Sequence, residues 1–300
     1  MPDKFAATWV SHSSASDFLN CPRAYYLNHV YRDPQTRHKI QLVSPPLALG
    51  SAVHEVLESL SAMPTQDRLK VSLIERFDQA WKKVSGKKGG FESPEQEQEY
   101  RKRGEDMLRR VMQNPGPITR LAVKIKQDLP QYWLSEEDEI ILCGKIDWLE
   151  YFPNDDSVHI IDFKTSKKEE SGASLQLPIY RLLVENCQHR TVRGASYWYI
   201  GFSDSLSERE LPDSKEAHNR ILEIAKKMKL ARKLGVFKCP QGTSGCMHCK
   251  PLEKIVRGEA DFVGVNDYNQ DMYMLSRSIG SGGSDSSSGA DSNMPESEVL

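Results

Sequence analysis

Glu139–Trp148 (EIILCGKIDW) and Val158–Phe163 (VHIIDF) are short apolar runs rich in β-branched residues, and the segment before the second, Pro153–Ser157 (PNDDS), is a cluster of turn formers. Ile and Val pack well on a pleated surface, whereas Pro, Asn and Asp interrupt strands, so the stretch predicts an antiparallel hairpin. Side chains alternate with period two along a strand, which puts Asp162 and Lys164 on one face of the second arm. Asp147 stands near the end of the first arm, where a hairpin brings it beside Asp162. Two clustered carboxylates repel each other unless a divalent cation lies between them. Oxygen ligands suit Mg²⁺ or Mn²⁺, and a lysine on the same face would hold a water near the ion, which outlines a hydrolytic metal site. An Asp-x-Lys pair on a strand is also what a solvated ion pair looks like, so the residues by themselves leave both readings open.

Outward from this hairpin, Leu175–Cys187 reads as a helix, Ala195–Phe202 (ASYWYIGF) as a third strand, and Ser214–Leu234 as a long helix. The long helix carries Arg220, Lys226, Lys227, Lys229, Arg232 and Lys233, a set that suits either phosphates or a solvated face. Upstream, Trp9–Val30 spaces Phe18, Tyr25 and Tyr26 near helical period, with Ser16 or Asp17 as the expected entry cap. Gly50–Leu60 predicts a helix with Ala52, Val53, Val56, Leu57 and Leu60 on one face, and with His54 and Glu58 as i, i+4 neighbours on the other. Gln66–Val84 repeats Leu69, Leu73, Phe77 and Trp81 every fourth position, and Pro94–Asn114 follows as a highly charged helix. The Gly/Lys-rich loop Ser85–Ser93 lacks the GxxxxGK[ST] order of a P-loop. Helices before and after a small sheet predict a three-layer α/β domain with a helical insertion.

Composition narrows the class. With 38% hydrophobic and 27% charged residues, no long apolar run and no apolar core in Met1–Val10, the 300-residue chain predicts neither a membrane span nor a secretory signal. It is expected in the cytoplasm, where a disulfide framework is not expected. Ser278–Leu300 is Gly- and Ser-rich and holds four acids with no Lys or Arg; of the net charge of −2 this leaves +2 on the rest. That tail is expected to be disordered. The mild balance neither demands nor forbids a polyanionic partner. Of six cysteines, Cys239, Cys246 and Cys249 crowd into eleven residues, a spacing that points to a metal. Cys143 and Cys187 sit in apolar stretches and are expected in the core.

Four blocks in order carry a resemblance: Gly50-Ser-Ala-Val-His54-Glu-Val-Leu-Glu58, Gly144-Lys-Ile-Asp147, Ile161-Asp162-Phe163-Lys164-Thr165 and Gln176-Leu-Pro-Ile-Tyr180. Together they resemble the PD-(D/E)XK nuclease superfamily, in particular its RecB-like branch of recombination helicase-nuclease domains and CRISPR-adaptation nucleases. The opening block Asp17-Phe-Leu-Asn-Cys21-Pro-Arg-Ala-Tyr-Tyr26 is similar to the branch's N-terminal helix. The likeness spans most of Ser11–Cys249, with 62–131 idiosyncratic. It implies a restriction-endonuclease-like three-layer core with a small mixed sheet, in one domain over 1–277 with 62–131 as a helical insertion.

The resemblance also implies roles. His54, Asp147 and Asp162 would be metal ligands, joined by the backbone carbonyl of Phe163. Lys164 would orient the attacking water, and Gln176 and Tyr180 would position Lys164 or the DNA backbone. Glu55 and Glu58 fall outside the ligand set. Several families of the branch hold an iron–sulfur cluster with one N-terminal and three C-terminal cysteines; Cys21, Cys246 and Cys249 fit that pattern. The usual last cysteine is missing from Pro251–Gly258, and Cys239 precedes the pair instead. Four thiolates suffice for a 4Fe–4S cluster, and the departure leaves open a structural Zn²⁺, with His248 able to replace one cysteine. The implied activity is Mg²⁺- or Mn²⁺-dependent hydrolysis of DNA, by exonuclease action on single-stranded ends, in repair, recombination or CRISPR adaptation. A helicase or integrase partner would fit these settings. A scaffolding subunit that binds DNA without cutting it, and an RNA or structure-specific endonuclease, are the rival readings.

Overall fold

The computed structural model describes residues 3–275 apart from 128 and 173; the segment 278–300 expected to be disordered lies outside the described residues. In chain order the elements are β1 (Thr8–Val10), α1 (His12–Asn20), α2 (Pro22–Tyr25), β2 (Lys39–Leu42), α3 (Pro45–Leu60), α4 (Leu73–Val84), α5 (Pro94–Gln113), β3 (Ala122–Val123), β4 (Gln131–Ser135), β5 (Ile140–Cys143), β6 (Trp148–Phe152), β7 (Ser157–Lys164), α6 (Gln176–Cys187), β8 (Thr191–Tyr199), β9 (Ser207–Arg209), α7 (Ser214–Leu234), α8 (Lys250–Val256), β10 (Asp261–Val265) and β11 (Gln270–Met274). Among the described residues no helix is long and apolar enough to cross a membrane.

The central sheet runs β3-β6-β7-β8-β9. β6 and β7 form an antiparallel hairpin about the expected turn, with Trp148 opposite Ile161, but its first arm is Trp148–Phe152 and not Glu139–Trp148. β8 lies parallel to β7, which requires a crossover, and α6 supplies it. Strand alternation then divides the core in two. Val158 and Ile160 of β7 face Ile179 and Leu183 of α6 and Ile221 and Ala225 of α7. Ile161 and Phe163 face Leu49 and Val53 of α3, with Phe77, Trp81 and Leu108 of α4 and α5 completing that side. The result is the predicted three-layer mixed α/β architecture. Gly104 permits the close seat of α5, since a Cβ there would stand 2.3 Å from the Phe77 ring and 3.0 Å from Leu49.

Four expectations are corrected. Glu139–Trp148 is not one strand: β5 belongs to a second sheet, β1-β5-β4, and Gly144–Asp147 carries the chain across to β6. Gly144 lies against α6, where a Cβ would come within 2.9 Å of Leu183 Cδ1, and Asp147 therefore immediately precedes β6. Helix α4 begins at Leu73, capped by the Ser72 hydroxyl, and not at Gln66; Leu69 is exposed. Buried Arg68 instead donates to the carbonyls of Met63, Ile118 and Arg120, a tertiary anchor that outweighs helical period. The N-terminal helix is capped by Ser11 in a reciprocal arrangement with Ser14, while Asp17 accepts from Asn28 and faces His29. Finally, a third sheet, β10-β11-β2, joins the chain's C-terminal hairpin to a strand before α3, a non-local pairing without a local sequence signal.

Candidate active site

The hairpin register and the crossover helix assemble the site. Because Trp148 pairs with Ile161, Asp147 arrives next to the Asp162–Phe163 peptide, and its Oδ2 accepts the Phe163 N–H at 2.9 Å. Helix α3 presents His54, whose Nδ1 lies 3.3 Å from that same Asp147 oxygen and 3.7 Å from Glu58 Oε1 one turn along. The imidazole packs edge-on against the Phe163 ring, 6.3 Å between centroids. Glu58 in turn pairs with Lys145.

Asp162 and Lys164 share the face of β7 turned toward α6, as period two requires, with Lys164 Nζ 3.0 Å from Asp162 Oδ2. Gln176, the first residue of α6 and fully buried, bridges them: its Oε1 accepts from Lys164 Nζ at 2.6 Å and its Nε2 donates to Asp162 Oδ1 at 2.9 Å. The same Nε2 donates to the Tyr180 hydroxyl at 3.2 Å, one turn further along the helix. Glu170 Oε1 stands 3.6 Å from Lys164 Nζ. His54, Glu58, Asp147, Lys164, Glu170 and Tyr180 line a cleft of about 1560 Å³, whereas Asp162 and Gln176 are fully buried and do not line it.

Burial disfavours a charged imidazole, but Asp147 and then Glu58 outweigh it and hold His54 well above its usual range. Burial likewise opposes a charged Glu58, yet His54 and Lys145 bring its carboxyl below the usual range. The donor atoms of His54, Glu58 and Asp147 all lie within 4.8 Å of one another. One imidazole and two carboxylates at the cleft, His54 and Glu58 half-buried and Asp147 buried, form a hard N/O donor set that fits a divalent cation. Glu58, which the resemblance leaves outside the ligand set, stands beside both His54 and Asp147: its i, i+4 relation to His54 is legible in the sequence, but its closeness to Asp147 depends on tertiary packing.

The four cysteines expected to meet do so. Cys21, at the junction of α1 and α2, and Cys239, Cys246 and Cys249 bring their sulfurs within 4.8 Å of one another in a buried cluster. His248 is not part of that group. Burial pushes the Cys21 thiol up to about 12. Burial also opposes ionisation of Cys246, but the N–H groups of Cys249 and His248 outweigh it and bring this thiol down to about 7. Four clustered sulfurs fit a soft metal or an iron–sulfur cluster. Cys143 is buried and Cys187 half-buried, both among core residues.

Basic and aromatic residues elsewhere separate. On α7, Lys226, Lys227 and Lys229 pair with Asp138, Glu223 and Glu139. Arg23 pairs with Glu253, Tyr25 is buried in the core, and Tyr26 stacks on Phe237. Lys124 lines the cleft.

The family model of the PD-(D/E)XK nuclease superfamily matches residues 9–251, and the chain belongs to that superfamily. It is thereby a member of a group of nucleases, hydrolases that act on DNA and typically use divalent metals. Among curated proteins the chain has no match.

Proposed function

We propose that the chain is a RecB-like, Mg²⁺- or Mn²⁺-dependent deoxyribonuclease that degrades single-stranded DNA from its ends. The observation that supports this reading is the Gln176 bridge between Lys164 and Asp162, beside the His54–Asp147 pair. His54, Asp147 and Asp162, with the Phe163 carbonyl, would hold the cation, and Glu58 joins them. When bound, such an ion supplies positive charge for the phosphoryl oxygens and acidifies a water. The chain's own groups do the remaining work. Lys164, kept at the cleft by Gln176 and Asp162, hydrogen-bonds the attacking water and offsets charge that builds on the phosphate. The water oxygen forms the new P–O bond and gives up a proton to solvent, while the P–O bond to one deoxyribose oxygen breaks and that oxygen takes a proton from solvent. Tyr180 fixes the Gln176 amide so that its oxygen faces Lys164.

The single-stranded, exonucleolytic part rests on the resemblance to the RecB-like branch, as does a setting in repair, recombination or CRISPR adaptation beside a helicase or integrase in the cytoplasm. The four cysteines would hold a 4Fe–4S cluster that staples the two ends of one nuclease domain, 1–277, into which 62–131 is inserted; Zn²⁺ is the alternative occupant. The test is nuclease assay on linear and circular DNA with Mg²⁺ or Mn²⁺, comparing the parent with Asp162→Ala and Lys164→Ala. The parent cuts linear strands and both variants lose about 10²- to 10³-fold in rate. Equal cutting by parent and variants would remove the catalytic assignment, and cutting of circles would replace exonuclease by endonuclease.

A further inference from the structure

The cleft that holds the His54–Asp147 pair is also lined by the turn 266–269, which joins β10 to β11. Among the described residues, the Phe, Trp and Tyr side chains that line it are Trp148, Phe163, Tyr180 and Tyr268. The first three are buried in the body of the domain, whereas Tyr268 is 69% exposed. Its ring belongs to none of the apolar clusters of the core. Turns favour Asn and Asp for their local hydrogen bonds, and Asn266, Asp267 and Asn269 follow that rule. Tyr268 departs from it and turns a large ring to the solvent of the cleft.

Hydrogen bonds hold this turn in one shape. Asn266 Oδ1 accepts the N–H groups of Tyr268 and Gln270 at 2.9 and 3.0 Å. Asn266 Nδ2 donates to Gln270 Oε1 at 2.8 Å and to Gln41 Oε1 of β2 at 2.7 Å. Asn269 takes the left-handed conformation, with φ 55°, which Asn tolerates better than most residues. Tyr268 thus stands on a braced turn, tied to the strand that leads into α3, the helix of His54 and Glu58. The surroundings match. Lys145 and Lys83 line the same cleft and pair with Glu58 and Glu55 of α3. Tyr268 and Asp267 are close enough to these lysines, respectively, for their charges to act on each other. Cations along a groove meet phosphates, and an exposed aromatic ring among them offers its face to a base. Every base has such a face, but in a duplex its neighbours already cover it.

We propose that Tyr268 is a stacking platform for an unpaired nucleobase of the strand being cut, and thereby a residue that selects single-stranded DNA. The proposal rests on the nuclease reading above and deepens it, since it names a side chain through which unpaired DNA is preferred. The ligand is the face of a base, of any identity.

The experiment measures binding in EDTA, so that affinity is read apart from cleavage, to three fluorescent probes: an oligodeoxythymidylate, an abasic strand of the same length and charge, and a duplex. Tyr268→Ala is expected to weaken binding of the oligodeoxythymidylate about tenfold and to leave the abasic strand and the duplex as the parent binds them. Tyr268→Phe and Tyr268→Trp keep a ring and retain the parent's affinity. The slope of log affinity against log salt stays the same in all of them, because no charge is removed. With Mg²⁺ or Mn²⁺ present, the loss in Tyr268→Ala falls mainly on KM. Unchanged oligodeoxythymidylate binding by Tyr268→Ala, in a parent that binds and cuts DNA, overturns the platform alone. An equal loss on the abasic strand overturns it too and, with a lowered melting temperature, assigns Tyr268 to the fold. Failure of Tyr268→Phe to the same extent as Tyr268→Ala makes the hydroxyl, and not the ring, the contact and likewise overturns stacking. A parent that neither binds nor cuts DNA overturns the nuclease reading and the platform with it.

Discussion

Lys164 and Gln176 are joined by a buried hydrogen bond, the ammonium donating to the amide oxygen over 2.6 Å. An ammonium on a flexible four-carbon stem needs such a partner to stay in one place. The same amide donates to Asp162, so a single side chain sets the spacing of the strand's acid and base.

Gln176 is accordingly a positioning residue. Gln176→Ala is expected to lower kcat by roughly 10- to 100-fold with a smaller change in KM. It also moves the pH–rate profile, because Lys164 and Asp162 lose their shared bridge. A kcat change with an unmoved pH profile would assign Gln176 to packing only.

His54 titrates against metal. Its folded value is raised, so its attraction to Asp147 and Glu58 stabilises the metal-free protein fully below the ordinary imidazole pKa. That contribution is lost as pH rises through the raised value. A metal ligand must be neutral imidazole, so binding near neutral pH displaces the proton. Calorimetry of Mn²⁺ binding in two buffers of different ionisation enthalpy should report about one proton released, and His54→Gln should abolish the release. Metal affinity falls toward acidic pH; an affinity flat from pH 6 upward, about the imidazole range, would contradict this.

Glu58 carries a separate test. Glu58→Gln keeps the shape but removes a charge from the His54–Asp147 group, and Mn²⁺ affinity should fall roughly 10- to 100-fold. Glu55→Gln, whose carboxylate instead pairs with exposed Lys83, leaves it unchanged. Equal effects would mean that bulk charge, and not the site, is being read.

The cysteine cluster distinguishes its occupant by colour. Protein purified without oxygen should absorb visible light and contain about four iron atoms per chain. Cys249→Ser should bleach it and lower the melting temperature, because the cluster ties the α1–α2 junction to α8. A colourless protein with one zinc per chain would name zinc as the occupant.

Gly104→Ala tests the packing of the layer that carries His54. The added methyl meets Phe77 and Leu49 in a close-packed core, and overpacking of this kind costs about 1–3 kcal/mol. Urea denaturation measures it; a midpoint equal to the parent's would show that the Phe77 ring yields freely.

Much of this protein is written in local sequence. The turn between β6 and β7 follows from its Pro, Asn and Asp residues, β7 from its β-branched run, α7 from its period and bounds, and the shared face of Asp162 and Lys164 from strand alternation. The four family blocks single out His54, Asp147, Asp162, Lys164 and Gln176, and the resemblance groups Cys21 with its distant partners. What local sequence did not contain was contact between remote parts. The break at Gly144–Asp147 depends on α6 lying against Gly144, and the late start of α4 depends on Arg68 reaching three distant carbonyls. Glu58 comes within reach of Asp147 only because separate elements converge on one cleft. Periodicity reports which face of an element is apolar; it carries no information on which charged groups of different elements become neighbours, and that is decided by packing.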